Sequence, residues 1–157
     1  MCESASDSTS FTSLVEVHRA VSDEIGVNLF TILAFTDEGR TMHRIYSSHP
    51  EEYPVGGKKD VARDVASDWI ARCVEQQSTY FGRTRVDVER IFVDAALIAG
   101  LGCSSIINAP IIGDGVTIGA LNILDAEGTY DVQDVDTALR IARNAGTIIE
   151  KTIKELK

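Results

Sequence analysis

Two asparagines, Asn108 and Asn122, interrupt two of the most apolar stretches of this 157-residue chain, Ser104-Ser-Ile-Ile-Asn-Ala-Pro-Ile-Ile112 and Val116-Thr-Ile-Gly-Ala-Leu-Asn-Ile-Leu124. A side-chain amide carries donors and an acceptor that cost free energy when buried without partners. Two of them in strand-like segments therefore mark either the recognition of a small polar molecule or an internal bridge to a bulge or loop. By alternation, Ser104, Ile106, Asn108 and Pro110 share one face, and Asn122 shares a face with Ile118 and Ala120. Arg44 and Tyr46 likewise fall on one face of an earlier segment; a guanidinium there suits a carboxylate or phosphate, or else a surface ion pair. Trp69, Tyr80, Phe81 and Phe92 can line an aromatic wall beside these groups, or pack as core.

Other chemistries find little to work with. The three cysteines, Cys2, Cys73 and Cys103, are widely spaced with no Cys-x-x-Cys pair, which argues against zinc or dithiol redox chemistry. Cys103 reads as a buried, inert thiol unless its pKa is depressed. His18, His43 and His49 show no metal-ligand spacing, and His18 sits near the apolar stripe of a helix. No Ser/His/acid motif is present, and Gly56-Gly57-Lys58 does not match a phosphate loop. No catalytic residue or metal is expected, the cofactor is unknown, and a binding role is favoured over an enzymatic one. A formal net charge of -9 repels phosphate backbones and anionic lipid, so neither nucleic acid nor membrane is an expected partner. Lys58-Lys59 and the Arg83 to Arg90 stretch are both interrupted by acids. No apolar run approaches the roughly 18 residues of a membrane span. The Ser-rich, acidic first ten residues lack secretory features, which points to the cytoplasm. Residues 1–10 are expected to be poorly ordered, and 11–157 to form one domain.

The elements that must position these groups follow from periodicity. Phe11, Leu14, Val15, His18, Val21 and Ile25 form a helical stripe, with Ser10 or Ser13 as N-cap and Gly26 as stop. Asn28 to Thr36 is apolar on both alternating faces, as for an inner strand. Asp37-Glu-Gly39 turns the chain into a returning strand, Met42 to Ser47, and His49 to Gly57 is loop. A helix is predicted from about Asp60 to Gln76, with Val61, Val65, Trp69 and Cys73 on one face. Tyr80-Phe81 is a short extended piece and Val86 to Leu101 a further helix. Two strands follow, joined by Gly113-Asp-Gly115, and Pro110 implies an edge or irregularity in the first. A last helix begins at Asp131 and carries two adjacent apolar stripes, one with Leu139 and Ile149 and one with Ile141, Ala145 and Ile148. The order predicts an α+β fold with an antiparallel sheet.

The stretch Gly102-Cys-Ser-Ser-Ile-Ile-Asn-Ala-Pro-Ile111, then Gly119-Ala-Leu-Asn-Ile123 and the terminal helix, resembles the second half of a GAF domain. Asn28-Leu-Phe-Thr-Ile32 and Arg44-Ile-Tyr46 resemble its first half. The resemblance implies a central antiparallel sheet of about five to six strands, with the first and last helices on one face. The segment from about His49 to Leu101 would close a pocket on the other. It also implies a sensory or regulatory module that binds a small molecule and forms homodimers through its terminal helices, a role for which the second stripe of the last helix leaves surplus apolar surface. The candidate ligand residues are then Arg44, Tyr46, Trp69, Phe81, Phe92, Ser104, Asn108 and Asn122. The Asn-Lys and Phe-x-x-x-Asp-Glu pattern of cyclic-nucleotide binders and the Cys-His pair of bilin binders are both missing. The alternatives are a small thiol enzyme using Cys103, like the free methionine sulfoxide reductases, and a structural dimerisation subunit.

Overall fold

The structure is a computed structural model describing residues 10–91, 98 and 100–156. An opening helix α1 (Leu14–Glu24) precedes β1 (Leu29–Thr36) and β2 (Thr41–Ser47). Then come β3 (Lys58–Asp60), the short helices α2 (Val61–Asp64) and α3 (Ser67–Ile70), a π-type turn over Ala71–Glu75, β4 (Tyr80–Gly82) and α4 (Arg85–Ile91). The chain closes with β5 (Ser105–Gly113), β6 (Val116–Asp125) and α5 (Val132–Glu155).

The strands form one six-stranded antiparallel sheet in the order β3-β2-β1-β6-β5-β4. The doubly apolar β1 lies inside it, between β2 and β6, as its two buried faces require. The β5–β6 turn has Asp114 at φ 52° and Gly115 at φ 80°, the left-handed pair whose twist matches a tight antiparallel hairpin. Ser13 caps α1 by accepting the Glu16 N–H at 3.2 Å, and Gly26, at φ 94°, turns the chain out of the helix. Asp131 and Asp134 form a reciprocal capping box at the start of α5. Pro110 lies on β5 beyond the three residues paired with β4, just before a register shift at Ile111/Ile112. There its missing N–H removes no ladder bond to β4.

Two cores sandwich the sheet. On one face Phe30, Ile32, Ile107, Ala109, Leu121 and Ile123 meet Val17 and Val21 of α1 and the inner side of α5. On the other, Leu29, Leu33, Met42, Ile106, Ala120 and Leu124 lie under a covering layer that contributes Tyr53, Trp69, Cys73, Val88 and Ile98. Both stripes of α5 are largely used inside the chain: Ile141, Ala142, Ala145, Ile148 and Ile149 are all buried, and Leu139 is half-buried. No helix among the described residues is long and apolar enough to cross a membrane.

The covering layer departs from expectation. In place of one helix from Asp60 to Gln76 there are α2, α3 and the π-type turn, with Val65 (ψ 134°) and Ala66 (ψ 139°) extended between the first two. The Asp60 carboxylate accepts the Arg63 N–H, while Asp64 accepts the Asp60 N–H and grips the Arg63 guanidinium. These bonds cap the start of α2, as the Asp131 and Asp134 pair caps α5. The helix expected over Val86 to Leu101 begins as α4; its middle, including Phe92, lies outside the described residues.

Candidate functional site

The register of the sheet aligns one row of side chains across five strands: Ser47, Thr31, Asn122, Asn108 and Tyr80. The row lies on the covered face, between the apolar rows of Leu29 with Leu124 and Leu33 with Ala120. Asn108 is wholly buried, and Thr31 and Asn122 nearly so. Trp69 of α3 reaches down onto it, and its indole N–H donates to Asn108 Oδ1 at 2.9 Å. Asn108 Nδ2 donates to Asn122 Oδ1, and Asn122 Nδ2 donates to Thr31 Oγ1 at 3.0 Å. The indole is a donor only, so it fixes the orientation of both amides. Each amide nitrogen has two hydrogens and uses one in this relay, leaving one N–H on each asparagine unused among the described contacts.

Among the described residues, further hydrogen bonds fasten the covering layer to the sheet. Thr117 Oγ1 donates to the Cys73 carbonyl at 2.9 Å, which meets a carbonyl at the π-type turn. Gln77 Nε2 donates to the Gly115 carbonyl at 2.8 Å. At the other end, Asn28 Nδ2 donates to the Leu101 carbonyl at 2.7 Å.

Arg44 is buried at the sheet edge. Its guanidinium stacks 3.5 Å over the Tyr53 ring, and Nη1 donates to the Pro54 carbonyl at 2.8 Å. The 49–57 loop closes over it so tightly that a Cβ on Gly57 would lie 2.6 Å from Nη1. Backbone bonds from Arg44 to Gly57 and from Gly56 to Arg44 complete the clasp.

Two of the expected neighbours belong elsewhere. Arg44 and Tyr46 do not share a face: a bulge pairs Arg44 with Leu33 and Tyr46 with Ile32, so the two side chains diverge. Tyr46 packs on the terminal-helix side, where its hydroxyl is 2.7 Å from His18 Nδ1 and the His18 ring stacks on Phe30. Burial, and secondarily the charge of His49, push the His18 pKa below its ordinary 6.5. Phe81 also packs on the terminal-helix core, with Arg83 over its ring. Ile118, expected beside Ala120, is turned to that same core by the β5–β6 register shift. Ser104 is half-buried just before β5, bonded through its N–H to the Asp125 carbonyl. The structure thus joins Trp69, Asn108 and Asn122, with Arg44 further along the covered face. It adds Thr31 and Ser47, which sequence reasoning passed over although Thr31 is the one polar residue between Leu29 and Phe35.

Both described cysteines are buried and free. Burial raises the Cys103 thiol to about 11, and the Cys73 thiol to about 12. Cys103 therefore stays protonated near neutrality, with its Sγ facing the Leu101 carbonyl, and lacks the activation that a thiol enzyme needs. Among the described residues no cluster of three or more His, Cys, Asp or Glu side chains is placed to hold a metal ion.

A six-stranded antiparallel sheet between paired terminal helices and a covering layer of short pieces defines the GAF architecture. The family model described as GAF domain matches residues 12–150, and the chain belongs to this family. The GAF domain of a two-component sensor histidine kinase from Bacillus halodurans superposes with a TM-score of 0.65 at 18% identity, over 94% of this chain and 100% of that one. A methyl-accepting chemotaxis protein fragment gives 0.66 at 20% identity, over 90% and 88%. A far-red cyanobacteriochrome photoreceptor gives 0.67 at 13% identity, over 88% and 84%. No curated protein matches the chain.

Proposed function

We propose that this GAF domain is a regulatory module that binds a small polar molecule on the covered face of its sheet, over Thr31, Asn122 and Asn108. The observation that carries the reading is the relay itself: two fully enclosed amides, each with an unused N–H, set in an otherwise apolar sheet face. A recognition site of this kind is mostly apolar, with a few polar groups fixing orientation. Trp69 covers the row in this conformation. A ligand reaches the amides by displacing the indole, with α3 and the π-type turn moving outward while the strands stay fixed. The bound molecule then presents a donor to Asn108 Oδ1 and acceptors to the two unused amide N–H groups. Arg44 supports the site by holding the 49–57 loop. The similar structures come from a sensor kinase, a chemotaxis protein and a photoreceptor, which agrees with a signalling role.

The test is recovery of small molecules by mass spectrometry after denaturing wild type, Asn108→Ala and Asn122→Ala purified from the same cell extract, with circular dichroism confirming the fold of each. A species released by wild type and depleted in both variants is expected, since losing one buried hydrogen bond weakens binding by roughly five- to a hundred-fold. Equal release from all three, or none from wild type, overturns the reading.

A further inference from the structure

The break between α2 and α3 opens a cleft outside the site just described. On one continuous helix, Val61, Val65, Trp69 and Cys73 would form one stripe against the sheet. The extended Val65-Ala66 pair divides them: Trp69 and Cys73 are buried, while Val61 and Val65 stay half-buried. With Ala62 and Ile70 they wall a cleft of about 390 Å³ facing the β1–β2 turn, a volume within the range of small-molecule sites. Neither Trp69 nor Asn108 lines it.

The charges around the cleft point to its occupant. Arg40 at the rim is 3.7 Å from Glu38, and Arg63 on α2 is held by Asp64. Of the two acids in the lining, Asp60 caps α2 by accepting the Arg63 N–H. Glu75 is exposed and has no hydrogen-bond or ion-pair partner among the described residues, so the apolar wall ends at a carboxylate open to a cation. We propose that this cleft is a binding site for a small amphiphile with an apolar body and a protonated amine. The body lies against Val61, Val65 and Ile70, and the ammonium pairs with Glu75. This site is distinct from the one over the asparagine relay, although α3 and the π-type turn border both.

The probe is 2-phenylethylammonium, titrated into the intact wild-type chain and followed by the backbone amide NMR shifts of Ala62, Ile70 and Glu75. Saturable shifts at these positions are expected, with 3-phenylpropionate binding about tenfold more weakly because its charge is reversed. Glu75→Gln should weaken the amine about threefold, as for an exposed ion pair. Ala62→Phe, a change at an exposed position, should fill the cleft and abolish the shifts. The proposal is overturned if the carboxylate binds as well as the amine, if Glu75→Gln changes nothing, or if Ala62→Phe still binds. It is equally overturned if no saturable shifts occur up to about 10 mM, well past the millimolar range of weak ligands.

Discussion

Asn108 holds both neighbours in the relay, accepting from Trp69 and donating to Asn122. Trp69→Phe leaves its Oδ1 without a donor at a fully buried position, at a cost of about 1–3 kcal/mol. Asn108→Ala strands the indole N–H and Asn122 Oδ1 together. The double variant is expected to cost less than the sum of the two, because the bond they share is lost only once. Urea denaturation of the four proteins measures this coupling, and strict additivity would show that the bond contributes nothing. His18 supplies a titration of predictable sign. Its native pKa is lowered, first by burial and then by His49, so the stability it contributes is complete above the ordinary value of 6.5. That stability is lost as pH falls through the lower native value. His18→Gln, which can still bond Tyr46, should flatten the fall in stability between about pH 7 and 5. His43, also lowered by burial and by the charge of Lys58, leaves a residual slope.

At the scale of elements, the β1–β6 contact has the least tolerance. A Cβ on Gly119 would sit 2.3 Å from the Leu33 carbonyl oxygen, and neither strand can yield because both are paired on their other side. Gly119→Ala is expected to destabilise by about 2–3 kcal/mol, read as a lower urea midpoint at unchanged slope. A midpoint unchanged within error would mean that the two strands are farther apart than described. The regular elements were legible wherever periodicity was strong. The two apolar faces of β1 announced an inner strand, Asp131 announced the start of α5, and Gly113-Asp-Gly115 announced the hairpin. Bulges were legible only where Pro110 signalled an irregularity in β5; the faces they reverse were not. Alternation carries through a strand only while each residue has one partner, and the extra residue in β2 and the one at Ile118 each reverse a side chain that alternation places on the other face. The Asp60 to Gln76 break was similarly hidden, since no proline or glycine marks the extended Val65-Ala66 pair. The asparagines were legible as a pair; Trp69 as their partner was not, because 39 residues separate it from Asn108.

For the whole molecule, the terminal helices bear on self-association. Most of the apolar surface of α5 is consumed by its own sheet and α1, leaving Val15 on α1 and Val132 and Leu156 at opposite ends of α5 as well-exposed apolar side chains. A homodimer through these helices is therefore expected to be weak, dissociating at micromolar concentration in sedimentation velocity. A dimer persisting at nanomolar concentration would require another surface. The relay also has a consequence beyond stability. Its two amides can be ordered in only two ways: oxygen toward Trp69 throughout, or nitrogen toward Trp69 throughout. Any mixture sets oxygen against oxygen or nitrogen against nitrogen. With the indole in place only the first order is available, and the Thr31 hydroxyl is an acceptor. An occupant that presented a lone pair instead of an N–H would reverse both amides together and turn Thr31 into a donor. With such an occupant the covered face would act as a single binary digit written at α3 and read on β1, with no strand having to move.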